Sequence, residues 1–197
     1  TFAQAALVET VSIGVHAANR TPLQLNDSVA IIGAGGVGLV ALQAMRLKGA
    51  GRLVITDLSP ARLELALRLG ADVALRADEP DLLGRLRAAL GGRGADVAIE
   101  AVGIQTTVDT ALAITRDAGA LTLIGNVTPR VEIGLQSIVS REITIYGVCA
   151  SNGEIPACVE LIASGRINVD PLISAYARLE DGQAVFDRLY QGVEGNI

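Results

Sequence analysis

Residues Ser28–Met45 read SVAIIGAGGVGLVALQAM, and this stretch decides the fold. Its apolar opening has the length of a buried strand, expected over 28–33. Its apolar end continues as a helix, expected over Gly36–Lys48. Between the two, Gly33, Gly35 and Gly38 form G-x-G-x-x-G. The first glycine permits a sharp turn, the second lets the backbone approach a pyrophosphate, and the third lets helix and strand pack closely. The helix that follows offers unpaired N–H groups and the positive end of its dipole, where phosphates settle.

The next segment fits the same unit. Arg52–Asp57 reads RLVITD, a second strand ending in an acid nineteen residues past Gly38. The spacing expected of a dinucleotide site is about 20. A carboxylate there accepts hydrogen bonds from the ribose hydroxyls of the adenosine half and repels a 2′-phosphate, so NAD is expected rather than NADP.

Composition agrees with this and excludes other classes. Half of the 197 residues are hydrophobic, 19% are charged and 3% aromatic, which suits an aliphatic α/β core and excludes a disordered chain. A formal net charge of −5 without a basic run argues against a nucleic-acid partner. Val29–Met45 is uncharged and near the lower length limit for a membrane helix. Glycines crowd its centre, however, and no membrane partner is expected. The first twenty residues lack a basic start, and Glu9 interrupts their apolar run, so they do not read as a signal peptide. Cys149 and Cys158 make neither a disulfide nor a metal framework, and a reduced, cytoplasmic setting is expected.

Working outward, helices alternate with strands. A helix is expected over 3–19, with Gly14 inside it, and Thr21-Pro22 and Asn26-Asp27 mark the loop before the first strand. Ser59 before Pro60 is an N-cap with a first-turn proline, and Gly70 ends that helix. A third strand (Asp72–Leu75), a helix (Pro80–Leu90), a fourth strand (Asp96–Glu100) and a helix over 104–116 follow. The fifth strand is expected over Ala120–Ile124, the sixth over Ile143–Val148, and helices over Pro156–Ser164 and Leu179–Tyr190. Short extra strands are expected at Val131–Ile133 and Ile173–Ala177. Such alternation implies an α/β protein with a parallel sheet covered on both faces. Right-handed crossovers then give the doubly wound Rossmann order 3-2-1-4-5-6. The chain divides into a helix and linker (1–27), a dinucleotide-binding domain (28–172) and a return segment (173–197). It opens inside a helical pattern and ends at Gly195–Ile197 without a stop signal, as expected of an excised piece of a longer protein.

In this order ligands lie beyond the carboxyl ends of the strands, at the switch between strands one and four. Those ends are Gly33–Gly38, Asp57, Ala101–Gly103, Gly125-Asn126 and Cys149–Ser151. Adenosine is expected over strand two and nicotinamide over strands four to six. Gly103 and Gly125 either let a flat ring approach the backbone or are ordinary loop punctuation.

Together with Ala5–Ala17 (AALVETVSIGVHA), Thr56–Arg62 (TDLSPAR), Asp96–Gly103 (DVAIEAVG), Leu123–Gly125, Arg141-Glu142 and Leu161–Gly165, the fingerprint resembles the cofactor-binding half of the medium-chain dehydrogenase/reductase family. The branch it is most similar to is the zinc-type alcohol and polyol dehydrogenases, with an order like that of sorbitol, threonine and butanediol dehydrogenases. The resemblance implies that Gly33, Gly35, Gly36, Val37 and Gly38 meet the pyrophosphate and ribose, and that Asp57 and Arg62 hold the adenine ribose. It implies Val102, Gly103, Ile124 and Gly125 around the nicotinamide. It further implies NAD as cofactor, a small alcohol or polyol as substrate, and zinc in the parent protein, held by a catalytic domain absent from this chain. Glu9 matches an acid that lies beside the zinc or its water in some relatives, and it fits a solvated helix face equally well. Val131–Ile133, as an edge strand, offers a route to a homodimer or tetramer. The stretch Gly147–Ser151 lacks the aromatic and arginine found there in sorbitol dehydrogenases, which argues against sorbitol itself.

Other residues read more plainly. His16 sits on an apolar helix with no acidic neighbour in sequence, and a structural role is expected. Cys149 reads as a small buried thiol and Cys158 as core. Asp78, Glu79 and Asp81 read as a helix start favoured by the dipole. A rival reading is a regulatory domain that senses NAD(H) without catalysis. A methyltransferase with a sulfonium cofactor fits the Asp57 spacing less well.

Overall fold

The computed structural model describes residues 1–191. Helices α1 (Phe2–Ala6) and α2 (Val8–Arg20) precede strand β1 (Ser28–Ile32). Then come α3 (Gly36–Lys48), β2 (Arg52–Asp57), α4 (Pro60–Arg68), β3 (Val73–Arg76), α5 (Leu82–Ala89), β4 (Ala95–Glu100), α6 (Gln105–Ile114) and β5 (Thr115–Leu123). The chain continues through α7 (Leu135–Ser140), β6 (Thr144–Gly147), α8 (Ile155–Ala163) and α9 (Gly182–Tyr190). The strands form one parallel sheet in the expected order, β3-β2-β1-β4-β5-β6.

The apolar run of β1 serves both faces of this sheet. Val29 and Ile31 join Leu39, Val40 and Met45 of α3 and Val11 of α2, while Ala30 and Ile32 join Leu86 of α5 and Ala111 of α6. Side chains alternate along a strand, so a strand covered on both sides needs apolar residues at every position. Each large side chain fully buried here contributes about 1.5–3 kcal/mol by leaving water. Helix α3 is buried without interruption from Gly38 to Met45, as its apolar circumference requires.

Helix α2 is fastened to this core at several points. A Cβ on Gly14 would lie 2.6 Å from Val40 Cγ1 and 2.8 Å from the Ala41 nitrogen, so the glycine marks where α2 meets α3. Lys48 Nζ donates to the carbonyls of Ala18 and Thr21, and burial lowers its pKa. The hydroxyls of Thr21 and Thr122 are 2.8 Å apart, and Arg20 Nε donates to the Gly147 carbonyl. Gln43, buried in α3, exchanges two hydrogen bonds with the backbone of Asn168, fixing the segment after α8.

Several expected boundaries are corrected. The helix over 3–19 is broken at Leu7, whose N–H bonds back to Gln4 in a tighter turn. The helix expected from Pro80 begins at Leu82, capped by Asp81 at φ +56°. Strand β5 begins five residues early, at Thr115, through an irregular register between Ala95 and Val97. Val131–Ile133 is not a strand: the Gln105 side chain takes both backbone groups of Glu132, leaving no ladder for a neighbour, and β6 is the sheet edge on that side. Ile173–Ala177 is also irregular, and Leu179–Asp181 is a separate 3-10 turn before α9. The Gly195–Ile197 terminus lies outside the described residues. No helix among the described residues is long and apolar enough to cross a membrane.

Candidate functional site

The glycine turn between β1 and α3 sits at the carboxyl edge of the sheet, between β2 and β4. Gly33 adopts φ +104°, open to glycine and strained for other residues, and its N–H donates to the Thr56 carbonyl. A Cβ on Gly38 would stand 2.0 Å from the Gly33 carbonyl oxygen, so the helix can lie this close to the strand only with glycine there. Gly35 differs. A Cβ on it would meet nothing within 4 Å, and one on Gly36 would meet only Thr10 Cγ2, at 3.9 Å. Gly35 is the N-cap of α3 and has no side chain to bond the first-turn N–H groups. The result is an open, half-buried helix N-terminus of the kind that holds phosphates.

Asp57 closes one side of this turn. Its Oδ2 accepts the Ala34 N–H at 2.7 Å and its Oδ1 the Ser59 N–H at 2.8 Å. Arg62 Nη1 lies 3.9 Å from Oδ2. A carboxylate has about four acceptor sites, and two are used here, so two remain for a vicinal diol.

The other side is built from the ends of β4 and β5. Glu100 is fully buried, and its Oε1 accepts the N–H groups of Val102 and Gly103 at 2.9 and 2.8 Å. Nothing in the sequence reading assigned it a role. The signal was present: an acid ending an otherwise apolar strand just before a glycine-bearing loop. Its Oε2 has no partner among the described residues. Val102 packs toward Gly33, where a Cβ would lie 2.6 Å from Val102 Cγ2. Gly103, at φ +88°, and Gly125 press on each other's backbone, which settles why both positions are glycine: backbone meets backbone, with no room for a Cβ. Ile124 is half-buried beside them, its N–H bonded to the Glu100 carbonyl.

The remaining candidates spread out. Glu9 is exposed on α2, one residue before the Thr10 that faces Gly36. Cys149 is exposed beyond the edge strand β6, a correction to the buried thiol expected there, whereas Cys158 is buried. His16 does have an acidic neighbour, brought from 138 residues away: its Nδ1 lies 2.7 Å from Glu154 Oε1, with both side chains about one-tenth exposed. Burial pushes the Glu154 carboxyl up, but His16, the Asn152 N–H and the Asn19 amide outweigh it and hold its pKa at about 2. Among the described residues no three His, Cys, Asp or Glu side chains gather as a metal site. What the site offers is an anion cradle, a diol acceptor and a narrow floor of packed backbone.

The family model for zinc-binding dehydrogenases matches residues 36–164. Sorbitol dehydrogenase of Bacillus subtilis (strain 168) is 36% identical over 191 residues, covering 96% of this chain and 54% of the relative. The Bos taurus sorbitol dehydrogenase is 33% identical over 195 residues, covering 98% and 55%. Among solved structures, L-idonate 5-dehydrogenase of Escherichia coli superposes with a TM-score of 0.90 at 27% identity, covering 98% of this chain and 55% of that one. The chain thus spans about half the length of the relatives it matches. With the family model covering most of its length and the fold shared end to end, the chain belongs to the zinc-binding dehydrogenase family.

Proposed function

We propose that this chain is the NAD(H)-binding half of an alcohol or polyol dehydrogenase. The observation that carries the reading is the pairing of the open Gly35 N-cap with the Asp57 carboxylate across Ala34. On this reading the first-turn N–H groups of Gly36, Val37 and Gly38 face the pyrophosphate, with Gly33 shaping the turn. Asp57 takes the adenosine ribose hydroxyls with its two remaining acceptor sites, and its charge disfavours a 2′-phosphate. Arg62 flanks the adenine side. Val102, Gly103, Ile124 and Gly125 border the nicotinamide, and residues 28–172 form the binding domain.

The relatives' names point to small polyols and related alcohols as the substrate class. In the parent protein the alcohol carbon would pass a hydride to the nicotinamide while its hydroxyl releases a proton. Zinc, when bound by the parent, polarises the substrate oxygen. Glu9, exposed and next to the Thr10 that faces Gly36, is the residue of this chain that we assign to the zinc side of the parent's active site. The chain by itself supplies cofactor placement and turns over nothing.

Titration calorimetry on the 197-residue chain tests this. NADH is expected to bind more tightly than NADPH, and Asp57→Asn is expected to weaken NADH and narrow the difference. Tighter NADPH binding by the unaltered chain would overturn the role given to Asp57.

A further inference from the structure

At the opposite end of the sheet from the glycine turn, an open cavity of about 730 Å³ is lined by Arg87, Arg93, Arg116, Arg141, Asp117 and Ser137, among others. Strand β4 separates the two ends, and six residues of strand span roughly 20 Å. Four arginines and one aspartate line this cavity in a chain whose net charge is −5.

Much of this charge has an internal explanation. Arg87 donates to the Ala113 carbonyl, and Arg141 donates to the carbonyls of Leu112 and Thr115, so both satisfy the last turn of α6. Arg116 pairs with Asp96, whose carboxyl burial pushes up but which the Ser28 hydroxyl and Arg116 hold below its usual value. Asp117, the acid on the wall, is largely exposed and tied to Arg141. These bonds leave donors over. Arg87 uses one nitrogen and Arg116 two, while Arg93 is exposed and makes no hydrogen bond or ion pair among the described residues. Helix capping explains Arg87 and Arg141, and the pair with Asp96 explains Arg116. Arg93 adds like charge to a wall that already carries three cations, and no acid among the described residues pairs with it.

We propose that this cavity binds a small polyvalent phosphate anion, remote from the dinucleotide turn. Arg93 and the spare nitrogens of Arg87 and Arg116 supply the charge-assisted bonds, and the Ser137 hydroxyl adds a neutral donor. Guanidinium suits this ligand because its planar fork meets two oxygens at once. The helix-bound Arg87 and Arg141 hold the cavity's shape without the anion.

Inorganic pyrophosphate is the probe, titrated into the ¹⁵N-labelled 197-residue chain and followed by NMR. The expected result is saturable shifts at the Arg93 and Arg116 side chains and the Ser137 amide. Pyrophosphate can also settle at the glycine turn, which would show as shifts at Gly35–Gly38. Shifts there alone, or none anywhere up to millimolar probe, overturn the proposal. Arg93→Gln is expected to weaken the remote site about tenfold, Arg93→Lys less, and Asp117→Asn to strengthen it. An Arg93→Gln variant that keeps its native spectrum and full affinity also overturns the proposal. Monovalent sulfonate buffer anions serve as the control for charge alone; if they match pyrophosphate, the site does not recognise phosphate.

Discussion

Gly103 and Gly125 are packed backbone to backbone. A Cβ on Gly103 would stand 2.3 Å from the Gly125 carbonyl carbon, and one on Gly125 would stand 2.2 Å from the Gly103 nitrogen. Gly125→Ala is therefore expected to destabilise the chain by about 1–3 kcal/mol, as overpacking does. Gly103→Ala is expected to be worse, because its φ of +88° adds a backbone strain of about 1–3 kcal/mol. Urea unfolding of the two variants checks both the loss and its order.

Gly35→Ala is expected to behave in the opposite way. A methyl there meets nothing, and φ at Gly35 is −70°, so stability should change by no more than about 1 kcal/mol. NADH affinity should nevertheless fall about tenfold, since the methyl would occupy the space that the proposed function gives to the pyrophosphate. Native stability with undiminished affinity would take the pyrophosphate away from this turn.

Local signals and distant ones were not equally legible. Gly33, Gly35 and Gly38, the Ser59-Pro60 helix start and the acid at Asp57 each act within a few residues, and α3 and β2 fall where their sequence places them. Thr115 and Arg116 read as the end of the helix expected over 104–116, because the strand partner of Thr115, Ala95, lies twenty residues back in β4. Val131–Ile133 has a strand's composition, yet the groups a strand needs are taken by the side chain of Gln105. The glycines at 103 and 125 could be flagged from sequence, but not the fact that each is the reason for the other. Glu154 had no sequence signal at all, since its partner His16 sits on the first long helix of the chain.

The His16–Glu154 pair makes a pH prediction. The Glu154 carboxyl has a pKa of about 2 in the folded chain against an ordinary value of 4.5. A depressed carboxylate adds stability that is complete above the unfolded value and is lost as pH falls through the folded one. Unfolding free energy should decline between about pH 4.5 and 2, and Glu154→Gln should remove much of that slope. Thermal melts of both proteins at several pH values give the comparison; parallel curves over that window would refute the assignment.

The two thiols should report on the fold independently. Cys149 is exposed and Cys158 buried, and burial together with the Glu154 charge raises the Cys158 pKa. A thiol reagent should modify Cys149 at once and Cys158 only on unfolding, since the thiolate is the reactive form. Two equally fast thiols in native buffer would contradict the placement of α8.

The fastening of α2 has a mechanical meaning. Gly14 seats it on α3, His16 ties it to Glu154, Arg20 to the Gly147 carbonyl, and Lys48 clamps its last carbonyls. Helix α1 buries no side chain and reaches the rest of the molecule through Gln4 on Asp170. Force applied at the amino terminus therefore meets first a short, lightly held helix and then, past the break at Leu7, a bolted beam. Load carried past that break is spread onto α3 through Gly14 and Lys48, onto β5 through the Thr21–Thr122 hydroxyl pair and onto β6 through Arg20.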